Sequence, residues 1–361
     1  MKKPKIFSIG GATYDIYVKT SDQAIMTLGT TKTRDAYLCL KHGGKVLVDE
    51  VIETFGGGAT NTSVAFSRMG FEAYFVGVIG DTYGDRVLEN LKKEKVSTKY
   101  SRTTNKEKTA FSVIINTFDG DRTVLAYPGA NKYLCAKDFP FEAMKNADLI
   151  YLNHLSEQDN LMHDKLEKFL YQNPNVQLAW NPGKEQLVQG LKKWKKLLKR
   201  TQILFLNKEE AALLTGIQYK LAGIKKEDPK HHVHYAKNFL PPYADDVSEI
   251  MIKLLECGVK TVVITDGRNG AQVTDGKEIY FCPVVTTKRV DTLGAGDSFA
   301  SGFVSARLLR KDLKMALVYG TLNANSVVGT YGAQPGLLHR NEMEKRSGKH
   351  QLEITHTRLL K

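Results

Sequence analysis

Short apolar runs of strand length alternate with longer runs of helical period through most of this chain, and no other feature constrains its fold so tightly. The strand-like runs lie at residues 5–10, 73–79, 149–153, 177–181, 203–207 and 261–265. The helix-like runs lie at 60–69, 85–94, 208–215, 246–257 and 297–309. The alternation predicts an α/β fold in three layers, a mostly parallel central sheet with helices on both faces. Ligands of such sheets bind outside the carboxyl ends of the strands, and the motifs of this chain cluster at those ends.

Two stretches break the pattern. Residues 16–54 are β-like and carry no helix of the core type, and residues 110–127 alternate on either side of Asp119-Gly120, a dipeptide that favours a tight hairpin. Together they are expected to form a small β-sheet packed as a lid over the strand ends. Residues 217–245, with three prolines and an excess of base over acid, read as a surface insertion. The layout is therefore one domain over residues 1–345, with lid segments at about 16–54 and 110–127 and an insertion at about 217–245, then a polar tail at 346–361. From Arg340 onward the chain is polar and is expected to be loosely held.

The net charge of +13 raises the question of a nucleic-acid partner. Between Lys184 and Arg200, seven basic residues stand against Glu185. The apolar positions Leu187, Val188, Leu191, Trp194 and Leu198 fall on one face of a helix, which puts the lysines on the opposite, solvated face. No interleaved aromatic pattern accompanies them, so a solvated surface is favoured over a polyanion site. Cys39, Cys135, Cys257 and Cys282 form no C-x-x-C pair and read as free thiols of a reducing compartment. No apolar run approaches the roughly 18 residues that span a bilayer, and the apolar stretch after Lys2 and Lys3 is too short for a secretion signal. A cytoplasmic protein without membrane contact is expected.

The segment VDTLGAGDSFASGFVSARLL, from Val290 to Leu309, carries the most information. A β-like stretch ends near Val290, Gly294-Ala295-Gly296 makes a compact turn, and Asp297 opens an apolar-periodic helix. The first N–H groups of that helix have no internal partner and carry partial positive charge, so the turn is an anion site. Such donors stabilise charge on a transferring group by about 3 kcal/mol each. Asp297, beside them, is placed to take a proton from an attacking hydroxyl, a contribution of roughly 10²–10⁴ in rate. The plainer reading of Asp297 is a helix N-cap.

Near the other end of the chain, Gly56-Gly57-Gly58-Ala59-Thr60-Asn61 precedes a helix. A dinucleotide-binding G-x-G-x-x-G is not matched, because Asn61 stands where the third glycine belongs. Asp291-Thr292-Leu293-Gly294-Ala295-Gly296-Asp297 resembles the D-T-x-G-A-G-D signature of the ribokinase-like (PfkB) carbohydrate and nucleoside kinases. The stretch FGGGATNTSVAFSRMGFEAYFVGVIGDTYG, ending at Gly84, resembles that family's first signature. The resemblance runs over about residues 5–338 and departs from the family at 16–54 and 217–245. It implies a ribokinase-like fold, Asp297 as catalytic base and Gly294, Ala295 and Gly296 as the anion hole. It also implies substrate hydroxyls on Gly57, Gly58 and Asn61, and on Asp15, whose plainer reading is an Asx-turn at a strand end.

On the nucleotide side, Asn207-Lys208-Glu209-Glu210 matches the family's N-x-x-E, which implies Asn207 at ATP and Glu210 at Mg²⁺ through water; the same residues also fit a helix capping box. Thr265 and Gly267 resemble the strand and turn under the ATP phosphates, and Asn325 lies in the run that resembles the adenine side. Asp291 and the Leu293 carbonyl match a monovalent-cation site, for K⁺, with Val327 and Gly332 as weaker members. His231, His232 and His234 in the insertion lack zinc-like spacing. Arg122 on the expected lid is either within reach of a substrate phosphate or a hairpin surface charge.

These readings converge on an ATP- and Mg²⁺-dependent kinase acting on a primary hydroxyl of a sugar or nucleoside, with a homodimer through the lid strands as an expectation by analogy. A nucleic-acid-binding or regulatory protein on a kinase scaffold and a dinucleotide-dependent oxidoreductase are the competing readings.

Overall fold

The computed structural model describes residues 2–20, 24–29, 34–116, 122–155, 161–217, 243–285, 287–349 and 352–359. The Asp119-Gly120 turn, the three insertion histidines and most of the 217–245 insertion lie outside them. In chain order the strands are β1 (Lys5–Ile9), β2 (Thr13–Lys19), β3 (Ala24–Gly29), β4 (Arg34–Cys39), β5 (Glu50–Gly56), β6 (Glu72–Val76), β7 (Val78–Gly80), β8 (Arg102–Thr104), β9 (Ala110–Asn116), β10 (Arg122–Tyr127), β11 (Leu149–Leu152), β12 (Gln177–Trp180), β13 (Thr201–Asn207), β14 (Thr261–Thr265), β15 (Ala271–Thr274), β16 (Glu278–Cys282) and β17 (Thr355–Arg358). The helices are α1 (Gly58–Arg68), α2 (Gly84–Lys93), α3 (Phe141–Met144), α4 (Leu161–Gln172), α5 (Lys184–Leu187), α6 (Gly190–Arg200), α7 (Lys208–Thr215), α8 (Tyr243–Glu256), α9 (Ala295–Leu308), α10 (Leu313–Val328) and α11 (Arg340–Lys349).

One nine-stranded sheet runs in the order β17-β16-β15-β14-β13-β12-β11-β1-β6. Pairing is parallel from β6 through β14 and antiparallel from β14 to β17. Its central strands are apolar through most of their length because both faces are covered. Successive residues feed opposite layers. Ile150, Leu178, Leu204 and Val262 join one core cluster with residues of α4, α6, α7 and α8. Leu149, Ala179, Ile203 and Val263 join the other with residues of α1, α9, α10 and α11. The three-layer α/β expectation is thereby met.

A second sheet of four strands, β10-β9-β2-β5, is built from the two stretches that broke the alternation. β2 is its hinge to the core, pairing antiparallel with β5 and parallel with β9. Because side chains alternate along a strand, Asp15 and Tyr17 of β2 share one face. Tyr14 on the other face stacks on Tyr83, with ring centroids 4.5 Å apart.

Four expectations need correction. Val188 is exposed, because the basic segment is two helices, α5 and α6, and a single helical period does not run through the junction; the lysines of α6 are on the solvent side, as expected. The stretch before Val290 is not a strand; β16 ends at Cys282, and Val290 instead donates its N–H to the Val328 carbonyl. The expected strand at 73–79 is divided at Gly77 into β6 and β7, and β7 pairs with β8. The described part of the polar tail is not loosely held: β17 is hydrogen-bonded along β16 from Glu278 to Phe281, and Met343, Leu352, Ile354 and Leu359 pack on the core clusters.

Candidate active site

The two glycine turns meet at the carboxyl ends of the parallel strands. α1 begins without a side-chain cap, at Gly57 with φ 96°. A Cβ at Gly57 would stand 2.6 Å from the Gly11 carbonyl, so only glycine lets this helix start lie against the end of β1. The hydroxyls of Thr60, Thr62 and Ser63 turn back onto carbonyls of the preceding turn. That satisfies the polar groups of a helix start buried between β1 and α9.

α9 starts in the same way. Gly294 takes φ 76° as its N-cap, and the space a side chain would need there is filled by Ala333. Ala295 and Gly296 follow; the Ala295 N–H is turned to the Thr292 carbonyl at 3.3 Å, and Gly296 is exposed in the first turn of α9, where helix amides lack intrahelical partners. Asp297 lies in that first turn and accepts a hydrogen bond from Asn61 Nδ2 at 2.8 Å. Protein surrounds it on most sides while some of its surface reaches the cleft. Burial pushes its carboxyl above the usual range, and the Asn61 bond opposes the shift in part. The helix-cap reading of Asp297 fails, since the cap is Gly294 and no side-chain cap bond is made.

Asp15 projects from β2 and is 2 % exposed. Burial is the main force raising its carboxyl to about 6; a hydrogen bond with Ser112, its register partner on β9, pulls the other way, and the charge of Asp291 adds to the rise. Its carboxylate fills the space a side chain would need at Gly56, at the edge of the Gly57-Gly58 turn.

Asn207 and Glu210 stand where β13 passes into α7. Asn207 Oδ1 accepts from the Glu210 N–H and Glu210 Oε2 accepts from the Asn207 N–H, each at 2.8 Å. The capping box is real, and it fixes the Glu210 carboxyl at a strand end. Burial raises the Glu210 carboxyl, and the charges of Glu209 and Asp297 raise it further. The Glu210 carboxyl and the Asn207 amide oxygen, side by side at one strand end, are oxygen donors that suit a hydrated Mg²⁺, an ion that takes oxygen ligands and keeps several waters. Thr265 ends β14 in register with Asn207 on β13. Gly267 follows in an exposed turn with φ 48°. Asn325 of α10 gives its Nδ2 to the Val285 carbonyl at 3.0 Å, which orients its amide oxygen away from that loop.

At the place expected for a monovalent cation, the Asp291 carboxylate is engaged by protein groups. Its carboxylate accepts from the Tyr17 hydroxyl, from Leu293 N–H at 2.9 Å and from Gly332 N–H at 3.3 Å. Arg122 of β10 stands 3.6 Å from Oδ1 and also bonds the Thr292 hydroxyl. Three donors thus hydrogen-bond the carboxylate and a guanidinium stands beside it as an ion pair. The Val327 carbonyl likewise accepts from both N–H and Oγ1 of Thr330. Arg122 is therefore not a plain hairpin surface charge; it is the counter-charge of Asp291 and bonds Thr292.

Three residues at the site escaped the sequence reading. Asn153, 3 % exposed and just beyond β11, reaches the Ile9 carbonyl and Thr62 from its Nδ2 while its Oδ1 lies beside Gly58. A polar residue closing an apolar strand was the available signal. Gln334 and Asn90 gave no local signal, since only the fold brings them to Asn61. A separate open groove of about 700 Å³, lined in part by Lys277, Glu278, Lys314 and Arg358, lies at the β16–β17 edge and includes neither motif.

With both turns and the cleft in view, the comparisons with known proteins are consistent with one another. The chain belongs to the pfkB family of carbohydrate kinases, whose model matches residues 22–340. It is 26 % identical over 276 residues to an uncharacterized sugar kinase of Archaeoglobus fulgidus, covering 76 % of this chain and 98 % of that one. It is 26 % identical over 323 residues to a ribokinase of Staphylococcus aureus, covering 87 % of this chain and 96 % of that one. The fold is shared with Arabidopsis thaliana ribokinase complexed with ribose and ATP, at TM-score 0.72 and 21 % identity, covering 96 % and 99 % of the two chains. The class of enzyme is thus a carbohydrate or nucleoside kinase. No helix among the described residues is long and apolar enough to cross a membrane.

Proposed function

We propose that this enzyme transfers the γ-phosphoryl group of ATP to a primary hydroxyl of a sugar or nucleoside, with Asp297 as general base. The observation that carries the reading is the hydrogen bond from Asn61 to Asp297. It joins the glycine turn proposed for the substrate to the glycine turn proposed for the phosphoryl group, so an acceptor hydroxyl and a γ-phosphate bound at the two turns would be neighbours.

In this reading Asp15 accepts hydrogen bonds from substrate hydroxyls, and Gly57, Gly58 and Asn61 line the sugar. Asn207, Thr265, Gly267 and Asn325 line ATP. Asp297 takes the proton of the hydroxyl as its oxygen bonds to phosphorus and the bond to the β-phosphate oxygen breaks, releasing ADP. The amides of Gly294 and Gly296 would face the charge carried by the moving group, and that of Ala295 would do so on leaving the Thr292 carbonyl it meets at 3.3 Å. Glu210 and Asn207 would hold Mg²⁺ through water, and the ion would supply positive charge against the phosphates. A raised Asp297 carboxyl suits the task, because a base is most useful when its pKa approaches the working pH.

Dimerisation through the small sheet remains part of the proposal. Val51, Val124 and Leu125 are exposed on its strands. The nucleic-acid reading is not favoured, because the lysines that motivated it are the solvated face of a packed helix.

ADP release from ATP and Mg²⁺ across a panel of sugars and nucleosides, run beside Asp297→Asn, tests the proposal. Strong turnover on one acceptor that the variant loses by roughly 10²–10⁴ is the expected result. Equal turnover by the variant would remove Asp297 from the role of base, and no turnover on any acceptor would overturn the substrate class.

A further inference from the structure

Asn61 has two ends, and the second is as tightly held as the first. Its Oδ1 accepts from Gln334 Nε2 at 3.1 Å, and Gln334 Oε1 in turn accepts from Asn90 Nδ2 at 2.8 Å. Asn61 and Gln334 are each 4 % exposed, so neither amide has water as a substitute partner. The direction of the chain is forced. An ionised carboxylate only accepts, so Asn61 has to turn its NH₂ to Asp297. Its oxygen then faces Gln334, which has to answer with NH₂, and the Gln334 oxygen is left for Asn90. Gln334 is also fixed through its backbone, because Arg68 donates to its carbonyl at 2.9 Å and to that of Leu337 at 2.7 Å while paired with Glu94 at 2.7 Å.

We infer that Gln334 is a positioning residue for Asp297, acting through a one-way amide relay from Asn90 through Gln334 and Asn61 to the carboxylate. The inference rests on the proposed role of Asp297 for its kinetic consequence, but not for the geometry of the relay. Gln334 precedes Pro335 in the loop after α10, whereas Asn90 is on α2 and Asn61 on α1. Three separate elements thus fix one oxygen of the base, and a shift of the loop would reach the base through side chains alone. Among the titratable groups around Asp297, Tyr151 of β11 and Glu210 of α7 feel its charge; neither belongs to the relay.

A polar tie that only stabilises the fold and a relay that sets the base differ in what a reversed link does. Gln334→Glu keeps the size of the side chain and its acceptor for Asn90, but cannot donate to Asn61. The Asn61 amide then turns over, its NH₂ meeting the introduced carboxylate and its oxygen facing Asp297. Asp297 loses a donor to its charged form and holds its proton to higher pH. The measurement is a carboxyl ¹³C NMR titration of Asp-labelled protein, with the Asp297 resonance assigned by its loss in Asp297→Asn. It needs no substrate, so it separates failure of the relay from failure of the kinase reading. The expected midpoint rise in Gln334→Glu is about one pH unit, the scale of one hydrogen bond to a carboxylate, and the acid limb of kcat should rise with it. Gln334→Met, which removes the donor without adding charge, should lower kcat by roughly tenfold, with KM for ATP within about twofold. Should Gln334→Glu not fold, Asn90→Leu, which frees the far end of the chain, is expected to move the midpoint in the same direction by less. An unchanged Asp297 midpoint in the variants that fold, with any loss confined to thermal stability, would overturn the inference and leave Gln334 as a structural tie.

Discussion

The helical layer of the large sheet and the small four-stranded sheet each hold one carboxylate of the same motif, by opposite means. Asp297 is met by a neutral amide, Asn61, that belongs to the core. Asp291 is met by a phenol and a guanidinium, Tyr17 and Arg122, that belong to the small sheet. A neutral donor leaves the Asp297 carboxyl raised by burial and ready to accept a proton. The Asp291 oxygens are instead engaged by Tyr17, by backbone N–H groups and by the nearby Arg122 guanidinium. Two residues of one kind, in one turn, are thereby given different work by what surrounds them.

The contrast is broken most directly by removing each charge in turn. Asp297→Asn should lower kcat by roughly 10²–10⁴ with thermal stability kept or raised, since the variant no longer buries a charge. Asp291→Asn should instead lower thermal stability, because it leaves the Arg122 guanidinium and two backbone N–H groups with a weaker acceptor. Calorimetry and steady-state kinetics on the pair decide the matter. A stable Asp291→Asn with a loss of kcat equal to that of Asp297→Asn would mean the two carboxylates share the chemistry.

From the small-sheet side, Arg122→Met should reduce kcat/KM by about 10–100-fold. Hydrogen bonds to charged groups contribute about 1.5–3 kcal/mol, and Arg122 bonds Thr292 as well as Asp291, two positions before the Gly294 turn. Loss of rate with an unchanged fold would show that the small sheet completes the electrostatics of the core turn. No loss would reduce Arg122 to a surface tie.

How much of this the sequence announced follows the same division. The core sheet, its helices and the residues at the two glycine turns were legible, because period, turn chemistry and motif spacing are local. Asn207 and Glu210 were legible even as a capping box, since a cap is a contact across three residues. The partners were not. Arg122 reaches Asp291 across the whole middle of the chain, and nothing near Arg122 in sequence distinguishes it from a hairpin charge. Gln334 and Asn90 meet Asn61 only because α1 and α2 and the loop after α10 converge. The tail misled for a related reason, because its few scattered apolar residues, Met343, Leu352, Ile354 and Leu359, show no period, and the β17–β16 main-chain bonds leave no trace in hydropathy.

Asp15 sharpens the comparison from the substrate side, with a smaller effect. Its folded-state carboxyl titrates at about 6 against an ordinary 3.8, so the folded protein binds an extra proton between those values. Stability is therefore lost as pH rises through that window, by roughly 3 kcal/mol at most. Asp15→Asn keeps an acceptor for Ser112 and removes the buried charge. It should stabilise the protein by roughly 1–3 kcal/mol at pH 8 and by little near pH 4, while raising KM for the acceptor by about tenfold through loss of a charged hydrogen-bond acceptor. Denaturation curves at the two pH values, with KM measured alongside, test both halves. A variant that binds its acceptor as well as wild type would move Asp15 out of the substrate site.

The smallest expected effect is the response to monovalent cations, and it follows from what already surrounds Asp291. A K⁺ ion binds where carboxylate and carbonyl oxygens are turned toward a common point with lone pairs to spare. The Asp291 oxygens are turned to Tyr17, Leu293, Gly332 and Arg122 instead, and Arg122 already carries the positive charge. Exchanging KCl for choline chloride at constant ionic strength should therefore change wild-type turnover by less than about twofold, under roughly 0.4 kcal/mol. Arg122→Met, which uncovers the carboxylate, should make turnover rise with K⁺. Strong activation of the wild type by K⁺ would mean that Arg122 yields its place to the ion during turnover, and the small sheet would then be a gate for a cation and not a substitute for one.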